Sequence, residues 1–122
     1  MRYLLLFNKD EAEFRALSDE ARAELIARYE RYGAEMVAAG IARAGSALEP
    51  ADTATTVRLR DGKRVVTDGP FAETAEQLAG YCEIEVDNLD VALEWAAKHP
   101  DAASGSVEVR PVSDWTGLPS DS

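Results

Sequence analysis

The order of patterned segments predicts an α+β fold. Three observations carry that expectation. Arg2 to Phe7 is apolar on both of its alternating faces. A long stretch after Ser18 repeats apolar residues at helical spacing. The second half of the chain gives strand, helix and strand again, with a turn at Asp61-Gly62 between the halves. Without the hairpin at that turn the order is βαββαβ. That is the ferredoxin-like split βαβ arrangement, an antiparallel sheet with both helices on one face.

In the first segment Tyr3, Leu5 and Phe7 point one way and Leu4 and Leu6 the other, which predicts a central strand covered on both sides. Lys9 to Leu17 is polar with Phe14 and Leu17 inserted, a short helical lead-in. Ser18 is placed to cap a helix, with Asp19 and Glu20 in the first turn where the helix dipole favours negative charge. Ala21, Leu25, Tyr29, Tyr32, Met36 and Val37 form its apolar stripe, and Gly40 ends it. Glu24 with Arg28 and Arg31 with Glu35 are expected to pair on its wet face.

Ile41 to Leu48 reads as a strand, broken by Glu49-Pro50-Ala51-Asp52. Thr55 to Arg60 and Arg64 to Thr67 alternate around Asp61-Gly62, a strong hairpin signal. Gly80 to Val86 is a strand with Cys82, Ile84 and Val86 on one face and Tyr81, Glu83 and Glu85 on the other. Asp87 and Asn88 cap a second helix with Leu89, Ala92, Leu93 and Ala96 as its buried stripe, stopped by Pro100. Ala102 to Ser106 is expected as a loop and Ser106 to Val112 as the last strand. Residues 1–112 make one domain. Residues 113–122, rich in Ser, Asp, Gly and Pro, make a loosely held tail whose start Trp115 is placed to anchor.

A chain of 122 residues, 46% apolar and 30% charged, suits one soluble domain with its own core. The single cysteine, Cys82, excludes an internal disulfide and a cysteine-based metal cluster, and the cytoplasm is the simplest compartment. No signal peptide pattern and no membrane-spanning run are visible. The net charge of −10 argues against direct contact with nucleic acid or an anionic membrane. A few arginines can still make a local pocket for a small anion. The sheet face opposite the helices carries Glu83, Glu85, Glu108 and Arg110 beside one apolar side of the first strand. Such a half-apolar face on a small domain is expected to be covered in a homodimer.

The densest local chemistry runs from Asp68 to Tyr81. Asp68 is either a general base at a strand end or a turn-fixing acceptor for backbone N–H groups. Gly69 and Pro70 set the turn, and Phe71 pins it to the core or to a partner subunit. Glu73 and Glu76 either form a carboxylate cluster with Asp68 or cap and face solvent. Arg110 with Glu83, Glu85 and Glu108 makes either cross-strand pairs at a dimer seam or an anion anchor. His99 reads as a cationic cap at a helix C-terminus. Cys82 reads as core. No metal spacing, nucleophile elbow, phosphate loop or cofactor fingerprint is present.

The run Asp68-Gly69-Pro70-Phe71-Ala72-Glu73-Thr74, followed by Glu76-Gln77-Leu78 and Gly80-Tyr81, resembles the signature of the DGPF proteins of the YCII-related family. Ile84 to Asp87, Leu89 to Ala96, Pro100 and Val107 to Val112 extend the resemblance over nearly the whole chain. It implies a ferredoxin-like dimeric α+β barrel. It implies little about chemistry: an enzymatic role is suspected from a His–Asp pair in the smaller members, and some relatives are fused to, or encoded beside, extracytoplasmic-function sigma factors. The chain departs from the His–Asp pattern: its long helix has no histidine, and Tyr29 and Tyr32 lie where one is sought.

The residues support a cofactor-free proton transfer, isomerase- or lyase-like, on a small anionic molecule. Asp68 is then the base, Arg110 the anion anchor and Tyr29 an acid or hydrogen-bond donor, with Glu73 and Glu83 contacting ligand. The alternative is a non-catalytic ligand-binding or regulatory module, linked by resemblance to sigma-factor control.

Overall fold

The computed structural model describes residues 1–113; Trp115 and nearly all of the expected tail lie outside them. The elements are β1 (Arg2–Lys9), α1 (Glu11–Ala16), α2 (Asp19–Ala38), β2 (Ala42–Ala47), a 3-10 turn (Ala51–Thr53), β3 (Thr55–Arg60), β4 (Lys63–Asp68), β5 (Gln77–Glu85), α3 (Leu89–Lys98), α4 (Asp101–Ser104) and β6 (Ser106–Pro111). Four strands form one sheet in the order β2-β5-β1-β6, and β3 and β4 form a separate two-stranded sheet. All pairings are antiparallel. This α+β architecture is compatible with the ferredoxin-like arrangement. Among the described residues no helix is long and apolar enough to cross a membrane.

Alternation explains the central place of β1. Tyr3, Leu5 and Phe7 are buried beneath the helices, with Tyr3 opposite Ile84 and Leu5 opposite Cys82 on β5. Leu4 and Leu6, half-buried, face the other way. Leu5 and Ile84 are fully buried, and each such side chain stabilises the fold by about 1.5–3 kcal/mol. Tyr32 and Met36 of α2 and Ala92 and Ala96 of α3 close the core from above. The Tyr32 hydroxyl ties the two helices by donating to the Trp95 carbonyl at 2.7 Å. Side-chain oxygens of Asp10, Ser18 and Asn88 accept N–H bonds in the first turns of α1, α2 and α3, satisfying donors that a helix start leaves orphaned.

The structure corrects several local expectations. Val37 is 69% exposed, because Tyr32 and Met36 already fill the space above the sheet. The buried stripe of α3 is turned: Val91, Ala92, Trp95 and Ala96 face the core, while Leu89 and Leu93 are exposed. The expected pairs of Glu24 with Arg28 and Arg31 with Glu35 do not form. The ion pair on α2 joins Arg22 to Asp19 at 3.1 Å, and Arg22 also donates to the carbonyls of Arg15 and Leu17. β5 starts at Gln77 rather than Gly80, since a register shift at Phe7/Asn8 lets Leu78 and Gln77 keep pairing with β1. The expected loop after Pro100 holds a helical turn, α4.

Candidate functional site

The junction of α3 and α4 carries His99-Pro100-Asp101, and all three residues are buried. Pro100 starts α4 directly after α3 has ended, which turns His99 inward. The His99 imidazole stacks on Phe7 with ring centroids 3.8 Å apart and planes 10° apart. It lies 5.3 Å from the Tyr29 ring and meets Tyr32 edge-on at 4.9 Å. His99 Nδ1 accepts the backbone N–H of Asp101 at 3.0 Å. An accepting Nδ1 places the ring proton on Nε2. Burial pushes the imidazole pKa down to about 4, with Asp101 raising it and Lys9 lowering it. The ring is therefore neutral near pH 7.

His99 is not the cationic helix cap that its sequence position suggests. The helix dipole at an exposed end favours a charged imidazole. Burial among three aromatic rings outweighs it by disfavouring charge. The basic residue in the last turn of α3 is Lys98.

Asp101, 3% exposed, accepts the Tyr29 hydroxyl proton at 2.6 Å through Oδ1. Its Oδ2 lies 3.8 Å from His99 Nδ1. The Tyr29 phenol pKa is raised, first by burial and then by the hydrogen bond and charge of Asp101, while Arg28 opposes the shift. Tyr29 is thus held as a protonated donor. Tyr29 and Asp101 line a cleft of about 390 Å³ formed by α1, α2 and α4, with Lys9, Phe14 and Leu25 on its walls and His99 behind it. The Lys9 ammonium sits 3.8 Å from the centroid of the Phe14 ring and 5.4 Å from that of Tyr29. It makes no ion pair among the described residues.

A second cleft, of about 590 Å³, holds Asp68, Gly69, Pro70 and Glu73. Asp10 borders both. The Asp68 carboxylate is exposed and accepts no hydrogen bond among the described residues. The turn is fixed by other groups: Gly69 N–H donates to the Ala54 carbonyl at 2.7 Å, and the Thr56 hydroxyl donates to the Gly69 carbonyl at 2.8 Å. Gly69 has φ of +101°, which explains the glycine. Phe71 is 81% exposed, so it does not pin the turn to its own core. Those bonds to Ala54 and Thr56 already hold the turn and leave the ring outside. Glu76 accepts the Ser106 hydroxyl at 2.6 Å instead of joining Asp68. The Thr74 hydroxyl donates to the Glu76 carbonyl, and the Gln77 side chain donates to that of Thr74.

Arg110 and Glu83 lie elsewhere again. Both share a register position with Leu4 on the open sheet face. Arg110 pairs with Glu108 at 2.5 Å, Glu83 with Arg2 at 3.5 Å, and Glu85 with Arg43 at 3.4 Å. Tyr29 stands over the helix-covered face, against His99 and Phe7. Within one copy, Asp68, Arg110 and Tyr29 therefore do not converge. The structure instead joins Tyr29 to Asp101 and His99. The sequence signal for this cluster is slight: one histidine, a proline to turn the chain, and an aspartate two residues on.

A family model described as the YCII-related domain matches residues 1–116. "Uncharacterized protein R00369" of Rhizobium meliloti (strain 1021) is 36% identical over 115 residues, covering 93% of this chain and 93% of that protein. The family match spans both clefts and the four-stranded sheet, and the chain belongs to the YCII-related family.

Proposed function

We propose that this protein is a cofactor-free enzyme that moves a proton on a small anionic molecule in the cleft between α1, α2 and α4. One observation carries the reading: a carboxylate buried to 3% exposure, held by a phenol at 2.6 Å, on the wall of an open cleft. A buried carboxylate with few partners is poised for proton exchange. Asp101 takes a proton from a carbon acid, the electron pair moves into the adjoining carbonyl, and Asp101 returns the proton at a neighbouring atom. The Lys9 ammonium faces the negative charge that develops. Tyr29 keeps its proton and fixes the carboxylate rotamer. The base is thus Asp101 rather than Asp68, and the cation Lys9 rather than Arg110.

The test is solvent deuterium exchange into a panel of small keto and hydroxy carboxylates, followed by proton NMR. Asp101→Asn is expected to slow exchange about 100-fold or more, with Asp68→Asn close to wild type. Loss in Asp68→Asn alone moves the chemistry to the second cleft. Binding of the same anions without exchange makes the protein a binding module. The half-exposed Leu4, Leu6 and Tyr81 on the open sheet face support a homodimer that covers them, which sedimentation velocity tests.

A further inference from the structure

The β3–β4 hairpin is a sheet of its own. A lone two-stranded sheet is marginal in water and needs something packed against it. Its register puts Thr55/Asp68, Val57/Val66 and Leu59/Arg64 on one face. The opposite face carries Thr56/Thr67, Arg58/Val65 and Arg60/Lys63, and it is tied to the turn that follows β4: the Thr56 hydroxyl bonds the Gly69 carbonyl, and the Arg58 guanidinium reaches that of Phe71. The first face is bare, with Val57 57%, Val66 53% and Leu59 69% exposed. Apolar side chains occupy its middle, Asp68 its base and Arg64 the tip end. Neither Asp68 nor Arg64 has a side-chain hydrogen bond or ion pair among the described residues.

We propose that this face docks on the same face of a second copy of the chain, with the two hairpins antiparallel. A two-fold contact must be self-complementary, and this patch is. Turned end for end, the arm sets Arg64 against the partner's Asp68 and the valines against their own copies. The other two-fold arrangement, arms in one direction, sets Arg64 against Leu59 and Asp68 against Thr55 and gathers both arginines at one end and both aspartates at the other, which like-charge repulsion disfavours. Charge also selects the occupant. Of the arm's cations, Arg58, Arg60 and Lys63 alternate onto the opposite face, so the docking face carries Arg64 and Asp68 in balance, while the net charge of −10 repels an anionic membrane.

This inference rests on the dimer proposed above and assigns it a second contact. Sedimentation velocity across micromolar concentrations tests it, with far-UV circular dichroism to verify folding. Arg64→Glu and Asp68→Arg, both at exposed positions, are each expected to weaken the dimer about tenfold or more. The double variant Arg64→Glu/Asp68→Arg is expected to restore it, because each copy again meets its complement. Single variants without effect, or a double variant that fails to recover, overturn the pairing. A dimer indifferent to Arg64→Glu but lost in Leu6→Asp keeps the open-face contact and overturns the arm. A wild-type monomer overturns both. Flotation of the wild type with phosphatidylserine vesicles, abolished by Leu59→Asp, assigns the face to a membrane and overturns the proposal.

Discussion

The two clefts share Asp10 yet are built in opposite ways. In the first, buried side chains hold one another across long stretches of chain: Tyr29 reaches Asp101 and His99 stacks on Phe7. In the second, short-range bonds to backbone groups fix the shape, and the carboxylates of Asp68 and Glu73 have no partner among the described residues. Side chains that fix each other in a packed cleft wall are costly to disturb, because removing one strands the rest. Side chains displayed on a backbone-held turn are free to change. The first cleft is therefore preorganised, and the second is a frame carrying exchangeable groups.

The largest expected effect comes from His99→Ala. It empties the space among Phe7, Tyr29 and Tyr32 and is expected to cost about 3–5 kcal/mol, read by urea unfolding at pH 7. The same residue gives the fold an acid limit. Its pKa falls to about 4 in the folded protein, against about 6.5 when unfolded. Below the unfolded value the unfolded chain takes a proton that the folded one refuses, so stability is lost as pH falls from about 6.5 to 4. The loss is on the order of 3 kcal/mol, and His99→Phe is expected to flatten that part of the pH profile.

Tyr29→Phe keeps the ring but removes the donor to Asp101. About 1–3 kcal/mol is expected, again by urea unfolding. Asp68→Ala comes last, within about 0.5 kcal/mol by thermal unfolding of the dilute protein, as for an exposed position without partners. A large loss there erases the contrast between the clefts; a small one in Tyr29→Phe does the same from the other side.

The strands and helices were legible because their periods are local. Leu5 and Ile84 announce burial through alternation, and Ser18 and Asn88 announce helix starts through their side-chain oxygens. The Asp61-Gly62 turn announced the hairpin, with both residues at positive φ. The phase of α3 was not legible, because Leu89 and Leu93 compete with Val91 and Trp95 and only the sheet decides between them. His99 was misread for a similar reason: its sequence neighbours describe a helix end, whereas its environment comes from Phe7, Tyr29 and Tyr32. Asp68 drew attention by its turn chemistry, yet Ala54, Thr56 and Gly69 do the holding. Asp101 gave only the slight local signal of an aspartate after His99-Pro100; its significance depends on Tyr29, far away in the chain.

Gly105 sets a mechanical tolerance on the first cleft. Its N–H donates to the Asp101 carbonyl at 2.7 Å, and a Cβ there would collide with the Asn8 carbonyl oxygen on β1. The short helix bearing Asp101 is thus seated against the sheet through a residue that has no side chain. In Gly105→Ala the added methyl acts as a wedge, and because Gly105 and Asp101 are bonded, the displacement passes to the carboxylate. The expected result is a Tyr29–Asp101 contact longer than 2.6 Å in a crystal structure of the variant, although no group that touches the cleft has been replaced.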